Sequence, residues 1–356
     1  MDYTIDTIRP FICFESVAGS HAHGLARPGS DEDLKGVYLA PLQDILTGTA
    51  PRVVSDEKQD RQYTEMGEFC RQLMLNNSGA LELLGCLGQE QQLHAAPWFT
   101  DFFRRHNFLS RKCLHTFTGN AEAQLKRVLS THAKAVSPPD ESLGLADFCR
   151  VAQGAGSLPL PTWLAARGLG MNQVCAAPVA DCPQLFALFR RDTAAGLLGR
   201  TGAAVATPQL DGTEPFLAHM QVLAEAYSRH CRAVAQYRRW QQERNGKRLQ
   251  TELDAERGGA YDCKHMGHVI RLLHMAREIA ESGEIRVKRT EDAAHLRAIR
   301  AGAVPLDDLL AEARACMDAL PALYAASPLP DTPCPGDWEQ DLARIRIKLH
   351  TMISHE

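Results

Sequence analysis

The chain has 356 residues, 45% of them hydrophobic, with 39 Lys and Arg against 43 Asp and Glu for a formal net charge of −4. That apolar content excludes extensive disorder, and the length suggests two domains or one with a large extension. The near balance of charge argues neither for nor against a nucleic-acid partner, so any basic patch is local. The eleven cysteines form no CxxC pair and are odd in number, which excludes a disulfide scaffold and fits free thiols in a reducing cytoplasm. Met1 to Asp6 lack the basic start and apolar run of a signal peptide, and no stretch approaches the ~18 apolar residues of a membrane span. A soluble, cytoplasmic protein is expected.

Up to about residue 103 the pattern is mixed. Phe11-Ile12-Cys13-Phe14 and Leu34-Lys35-Gly36-Val37-Tyr38-Leu39 predict short strands separated by Gly, Pro and Ser clusters. From Glu68, helical spacing of Phe69, Leu73, Met74, Leu81 and Leu84 surrounds a break at Asn76-Asn77-Ser78-Gly79. After residue 104 strands nearly vanish, and Asn120 to Lys134, Pro215 to Arg244, Lys264 to Ser282 and Leu306 to Ala325 all predict helices. Between 136 and 212, Pro138-Pro139, Leu158-Pro159-Leu160-Pro161 and several glycines with few charges predict loops joining short helices. The expected fold is α+β: an N-terminal domain at 1–103 with a small mixed sheet flanked by helices, then a mostly helical domain at 104–356 with a loop-rich insertion near 136–212.

The segment Ala18-Gly19-Ser20-His21-Ala22-His23-Gly24 through Ser30-Asp31-Glu32-Asp33-Leu34 carries the chemistry. Gly19-Ser20 closes an apolar strand with a small residue and a hydroxyl, so a turn there can approach phosphate, and a helix start would favour the anion. Asp31 and Asp33 stand two apart at the start of the next strand, where a period of two projects both to one face and Glu32 away. Paired carboxylates repel unless a cation lies between them, and hard oxygen ligands suit Mg²⁺, or Mn²⁺ in its place, held jointly with triphosphate oxygens. Two such ions can activate a hydroxyl and stabilise leaving pyrophosphate. A third carboxylate completes such a site; Asp60 is the first choice and Glu65 the alternative. The plainer reading makes Asp31 a turn residue after Pro28-Gly29-Ser30.

Gly19-Ser20, ten intervening residues and Asp31-Glu32-Asp33 resemble the DNA polymerase β superfamily pattern of a small pair, a spacer and D-x-D. Gly-Ser-His-Ala-His-Gly-Leu followed by Ser-Asp-Glu-Asp-Leu-Lys-Gly-Val-Tyr is similar to a bacterial and phage nucleotidyltransferase family with RNA-repair-associated members. Asn77 to Leu84 resembles that family's N-P-x-x-h-E-L-L helix, with Ser78 in place of proline. Phe108 to Lys112, Phe117 and Ala121 to Arg127 look like its next block, and Trp240, Arg244-Asn245, Lys247-Arg248 and Tyr261 to Leu272 like its C-terminal signature. The resemblance implies a catalytic domain at 1–103 that transfers a nucleoside monophosphate from an NTP such as ATP. By the same correspondence Gly19 and Ser20 hold phosphate, Asp31 and Asp33 bind metal, and Asp60 fills the third acidic position. An RNA 3′ end, from tRNA or damaged RNA, is the first expectation for the acceptor. A protein side chain, or a nucleotide- or RNA-binding module without turnover, is the alternative.

Elsewhere, Lys264, His268 and Arg271 at i, i+4, i+7 form a basic stripe able to face triphosphate or RNA, against the plainer reading of a solvated face. Arg244-Asn245-Gly246-Lys247-Arg248 is the other local basic run. His21 and His23 read as a polar loop pair. His265 and His268 lack the companions of a structural zinc site, and Cys263 reads as a buried thiol.

Overall fold

In the computed structural model, which describes residues 2–58, 60–194, 196–199, 201–243 and 261–353, the first strand β1 (Ile12–Val17) lies near the middle of a five-stranded sheet. With β2 (Leu34–Tyr38), β3 (Val53–Ser55), β4 (Arg61–Glu65) and β5 (Gln92–Ala95), the order is β3-β4-β2-β1-β5. Only β2 and β4 pair in parallel, Leu34 opposite Arg61 and Tyr38 opposite Glu65; the other pairings are antiparallel. The sheet is therefore mixed, as the sequence predicts.

One face of this sheet carries Phe14 and Val37 into the main core. There Phe14 stacks on Phe99 with ring centroids 5.0 Å apart. The helices that cover it are α4 (Met66–Met74), α5 (Ser78–Gly85) and α6 (Pro97–Arg105), following the short α1 (Ile5–Ile8), α2 (Gly19–Ala22) and α3 (Leu42–Leu46). The opposite face buries Tyr38, Tyr63 and Val54 with Ile8. Gly36 lets the Tyr63 ring cross β2, since a Cβ there would lie 2.7 Å from that ring; the Tyr63 hydroxyl then donates to Glu15.

Two compact units make up the chain, residues 1–132 with 249–356, and residues 133–248. The boundary expected at 103/104 falls inside the first of them. Long helix α7 starts at Cys113 and extends to Val136. The C-terminal helices are α10 (Cys263–Ser282), α11 (Ala293–Arg300), α12 (Leu306–Ala326) and α13 (Trp338–Ile353). Helix α10 starts where Asp262 accepts from the His265 N–H and ends at Gly283 with φ 68°. Both are the ends its sequence calls for. No helix among the described residues is long and apolar enough to cross a membrane.

A polar cluster joins α10, α11 and α12. His274 Nδ1 lies 2.8 Å from Asp292 and its Nε2 3.2 Å from Glu312, while Arg289 bridges Asp292 and Glu278. Burial alone would lower the His274 pKa, but the hydrogen bond to Asp292 and neighbouring negative charge raise it to about 9. A raised folded-state value stabilises the fold fully below the unfolded value of 6.5, and that stabilisation disappears as pH rises through about 9. The expected result is a fall in unfolding free energy of up to about 3 kcal/mol across that window. Thermal melts against pH check it, with His274→Asn showing a flatter profile.

The second unit corrects two expectations. Residues 136–212 are not loops between short helices: they supply β6 (Cys149–Gln153), β7 (Gly156–Pro159), β8 (Val174–Pro178) and β9 (Leu185–Arg190). The predicted helix at 215–244 begins instead as β10 (Phe216–Val222), with helix α9 (Ala224–Glu243) only after it. These strands form an antiparallel sheet in the order β7-β6-β10-β9-β8. Helix α8 (Leu160–Ala165) covers one face, Leu160 and Trp163 packing with Val151, Leu188 and Met220. The physical reason is that Ala218, Met220 and Val222 are buried at a period of two, a strand pattern that helical spacing cannot satisfy.

Candidate active site

Strand β1 ends at a turn that only glycine can make. Gly19 has φ +59°, and a Cβ on it would lie 2.1 Å from Asp33 Oδ2. The Ala18 N–H donates to the Asp33 carbonyl at 2.8 Å, carrying the β1/β2 ladder one step past its last paired residues. Asp33 is thereby fixed directly over the Gly19-Ser20 turn. Ser20 is half-buried in the short helix α2, whose start has no side-chain cap, so the leading N–H groups are left without a side-chain partner.

Asp60 stands beside Asp33. The Leu34 N–H donates to the Asp60 carbonyl at 2.7 Å, one step before Leu34 pairs with Arg61. In-register positions of parallel strands project to the same side of a sheet. Strand β2 starts at Leu34 and not at Asp31, so the period-two argument does not govern Asp31, an exposed residue of the preceding loop. Asp31, Asp33 and Asp60 take part in no side-chain hydrogen bond or ion pair among the described residues. No group of three or more His, Cys, Asp or Glu side chains there is gathered so as to hold a metal ion. Mg²⁺ does not require one: it commonly uses one or two carboxylates with waters and substrate phosphates. The hard, unpartnered oxygens of Asp33 and Asp60 fit that coordination.

Glu65, the alternative third carboxylate, is at the other end of β4 and has another job. It caps α4, accepting from the Gly67 N–H at 2.7 Å, and pairs with Arg346. It is buried and fully engaged.

The stripe expected on α10 divides. Lys264 is exposed, but Arg271 is buried, donating to Glu82 at 2.9 Å and to His268 Nδ1 at 2.8 Å. Neither Arg271 nor His268 presents an open face to phosphate. His23, read from sequence as a polar loop residue, is buried in the same network: Nε2 lies 3.4 Å from Glu82 and Nδ1 2.9 Å from the Val287 carbonyl. Burial and the Arg271 charge lower the His23 pKa and push His268 down to about 3. Both imidazoles are therefore neutral near pH 7. His21 stays exposed, its Nε2 3.3 Å from the Ser30 carbonyl. His265 lies 2.5 Å from Asp262 at the start of α10. Arg244-Asn245-Gly246-Lys247-Arg248 lies outside the described residues.

Sequence spacing missed two cations on this loop. Arg297 and Arg300 of α11 donate to the Gly24 and Leu25 carbonyls at 2.8 and 2.7 Å. Arg300 passes over Gly267, where a Cβ would come within 3.2 Å of its side chain. A glycine inside an otherwise helical run was the available signal.

Residues 7–138 match the family model described as the RNA repair pathway DNA polymerase beta family. The resemblance carried by Gly19-Ser20 and Asp31-Glu32-Asp33 is borne out over that segment, which also contains Asp60; Tyr261 to Leu272 lie beyond it. No curated protein and no solved structure matches the chain.

Proposed function

We propose, from the premise that residues 7–138 are DNA polymerase β-like, that the protein is a Mg²⁺-dependent nucleotidyltransferase. It moves a nucleoside monophosphate from an NTP to a hydroxyl acceptor, an RNA 3′ end, and releases pyrophosphate. The observation that carries this reading is the register that sets Asp33 and Asp60 at the starts of two adjacent strands, unpartnered among the described residues, with Asp33 against the Gly19 turn.

The residues divide the work as follows. Gly19 leaves room for a phosphate where any side chain would intrude, while the Ser20 hydroxyl and the first N–H groups of α2 hold its oxygens. Asp33 and Asp60 would hold Mg²⁺, or Mn²⁺ in its place, together with substrate phosphates. The bound ion supplies charge neutralisation on the triphosphate and a lowered pKa for the attacking hydroxyl. Asp60 would receive that proton. The acceptor 3′ oxygen bonds to the α-phosphorus as the bond to the bridging oxygen breaks, and the electron pair leaves with pyrophosphate. Arg297 and Arg300 keep the 24–25 loop in place behind the turn.

Incubation with each α-labelled NTP, Mg²⁺ or Mn²⁺, and separated total RNA and total protein tests the assignment. Label is expected at RNA 3′ ends and sensitive to nuclease. Label that stays on protein after nuclease treatment overturns the RNA acceptor. NTP binding without any label transfer or pyrophosphate release overturns the enzyme reading altogether.

A further inference from the structure

Three arginines gather where the nucleotide turn ends. Helix α2 closes with the Leu25 N–H donating to the Ser20 carbonyl at 2.9 Å and the Gly24 N–H to that of His21 at 3.0 Å. The Gly24 and Leu25 carbonyls are the ones that Arg297 and Arg300 hold. Two residues on, a turn presents Arg27 at the surface. Its N–H donates to the Ser30 hydroxyl and the Ser30 N–H returns to its carbonyl, each at 2.9 Å. Arg27 and Arg297 are exposed and Arg300 is half-buried.

No acid offsets these cations. Among the described residues none of the three takes part in an ion pair, although Asp31 and Glu32 follow on the same loop. Arg297 and Arg300 each spend one N–H on a carbonyl and keep the rest of the guanidinium fork. The Arg27 side chain spends none. Burial and the Arg27 charge lower the Arg300 pKa. Like charges brought together disfavour one another, and a bound anion removes that cost. Guanidinium forks match phosphate oxygens in pairs, which favours a phosphate as the anion.

The source of that phosphate follows from direction. A helix points its free N–H groups out of its start and its free carbonyls out of its end. The triphosphate proposed above sits at the start of α2. The arginines hold the residues bonded to its carbonyl end, about 6 Å away along a helix of four residues. A phosphate there belongs to the other substrate.

We infer that Arg27, Arg297 and Arg300 bind a backbone phosphate of the acceptor RNA strand, close to the 3′ end that receives the nucleotide. The inference rests on the RNA acceptor proposed above, but binding is measured without NTP or Mg²⁺, so its failure is distinct from a failure of turnover.

The test is fluorescence anisotropy of the full-length protein with a labelled single-stranded RNA of about 12 nucleotides, repeated over a range of salt concentrations. Arg27→Ala is expected to weaken binding about 5-fold and to reduce the slope of log Kd against log salt by about 0.7, the loss of one phosphate contact. Adding Arg297→Ala should double the change in slope. Arg27→Glu should weaken binding further, while Arg27→Lys keeps the charge and stays within about threefold of wild type. NTP affinity, measured separately, is expected to be unchanged in the Arg27 variants. Unchanged RNA affinity and slope in Arg27→Ala and Arg27→Glu overturn the inference, as does equal weakening by Arg27→Lys, because charge is then not what matters. A loss of NTP affinity with RNA binding intact also overturns it and assigns the arginines to the triphosphate. The expected RNA results without any label transfer would leave this site standing and remove the enzyme reading alone.

Discussion

Asp33→Ala and Asp60→Ala are each expected to lower nucleotide transfer by at least about 10³-fold while leaving the melting temperature within a few degrees of wild type. A factor of that size is about 4 kcal/mol of transition-state stabilisation, the scale expected when a group that neutralises developing charge is removed. The fold should not respond, because neither carboxylate has a hydrogen-bond or ion-pair partner among the described residues to leave stranded. Asp31→Ala combined with Asp33→Ala should abolish incorporation, and unchanged incorporation in that double variant refutes the site. Glu65→Ala should show the opposite profile. It removes the cap of α4 and leaves the half-buried Arg346 without its carboxylate, a loss of about 3 kcal/mol in stability. Single-turnover rates with labelled NTP, read beside thermal melts, separate the two profiles. If Asp60→Ala keeps its rate, the third carboxylate is not Asp60.

That contrast shows what was legible in the chain and what was not. Asp60 and Glu65 flank the same four residues and are equivalent as acidic side chains before a helix. Only the parallel pairing of β4 with β2 decides that Asp60 reaches the Gly19 end, and pairing between distant segments leaves no local trace. The Gly19-Ser20 turn and the spacing to Asp33 were legible because a positive φ and a close approach both demand glycine. Helix α12 was legible for a different reason: its apolar period runs uninterrupted from Leu306 to within one residue of the observed end.

The second sheet stayed hidden because β6 to β9 are only four to six residues each, too short to show a period against the flanking turns. With Pro159 and several glycines as punctuation, the stretch reads as loop. Arg271 and His268 misled in the reverse direction. A basic stripe at i, i+4, i+7 looks the same whether it faces solvent or a buried acid, and the acid, Glu82, lies 189 residues away.

Glu82→Ala should therefore be among the most damaging single changes in the first unit. Burial alone would raise the Glu82 pKa, but the Arg271 guanidinium and the His23 imidazole overcome it and hold the carboxyl well below its usual range. Its depressed value contributes stability above the unfolded carboxylate range, and that stability is lost as pH falls through the folded value. Removing Glu82 leaves Arg271, only 3% exposed, without its carboxylate, at about 3–5 kcal/mol, or a fall in melting temperature on the order of 10 °C. Replacing both partners, Glu82→Met with Arg271→Met, should restore most of it, because a buried pair exchanged for packed apolar groups is often neutral. Restoration of fold need not restore function. His23 would still have lost Glu82, leaving its imidazole only the Val287 carbonyl as a partner next to the loop that carries Gly19 and Ser20. The double variant is expected to melt near wild type with a raised KM for NTP. Recovery of both would mean that Glu82 acts through global stability and not by holding the nucleotide loop.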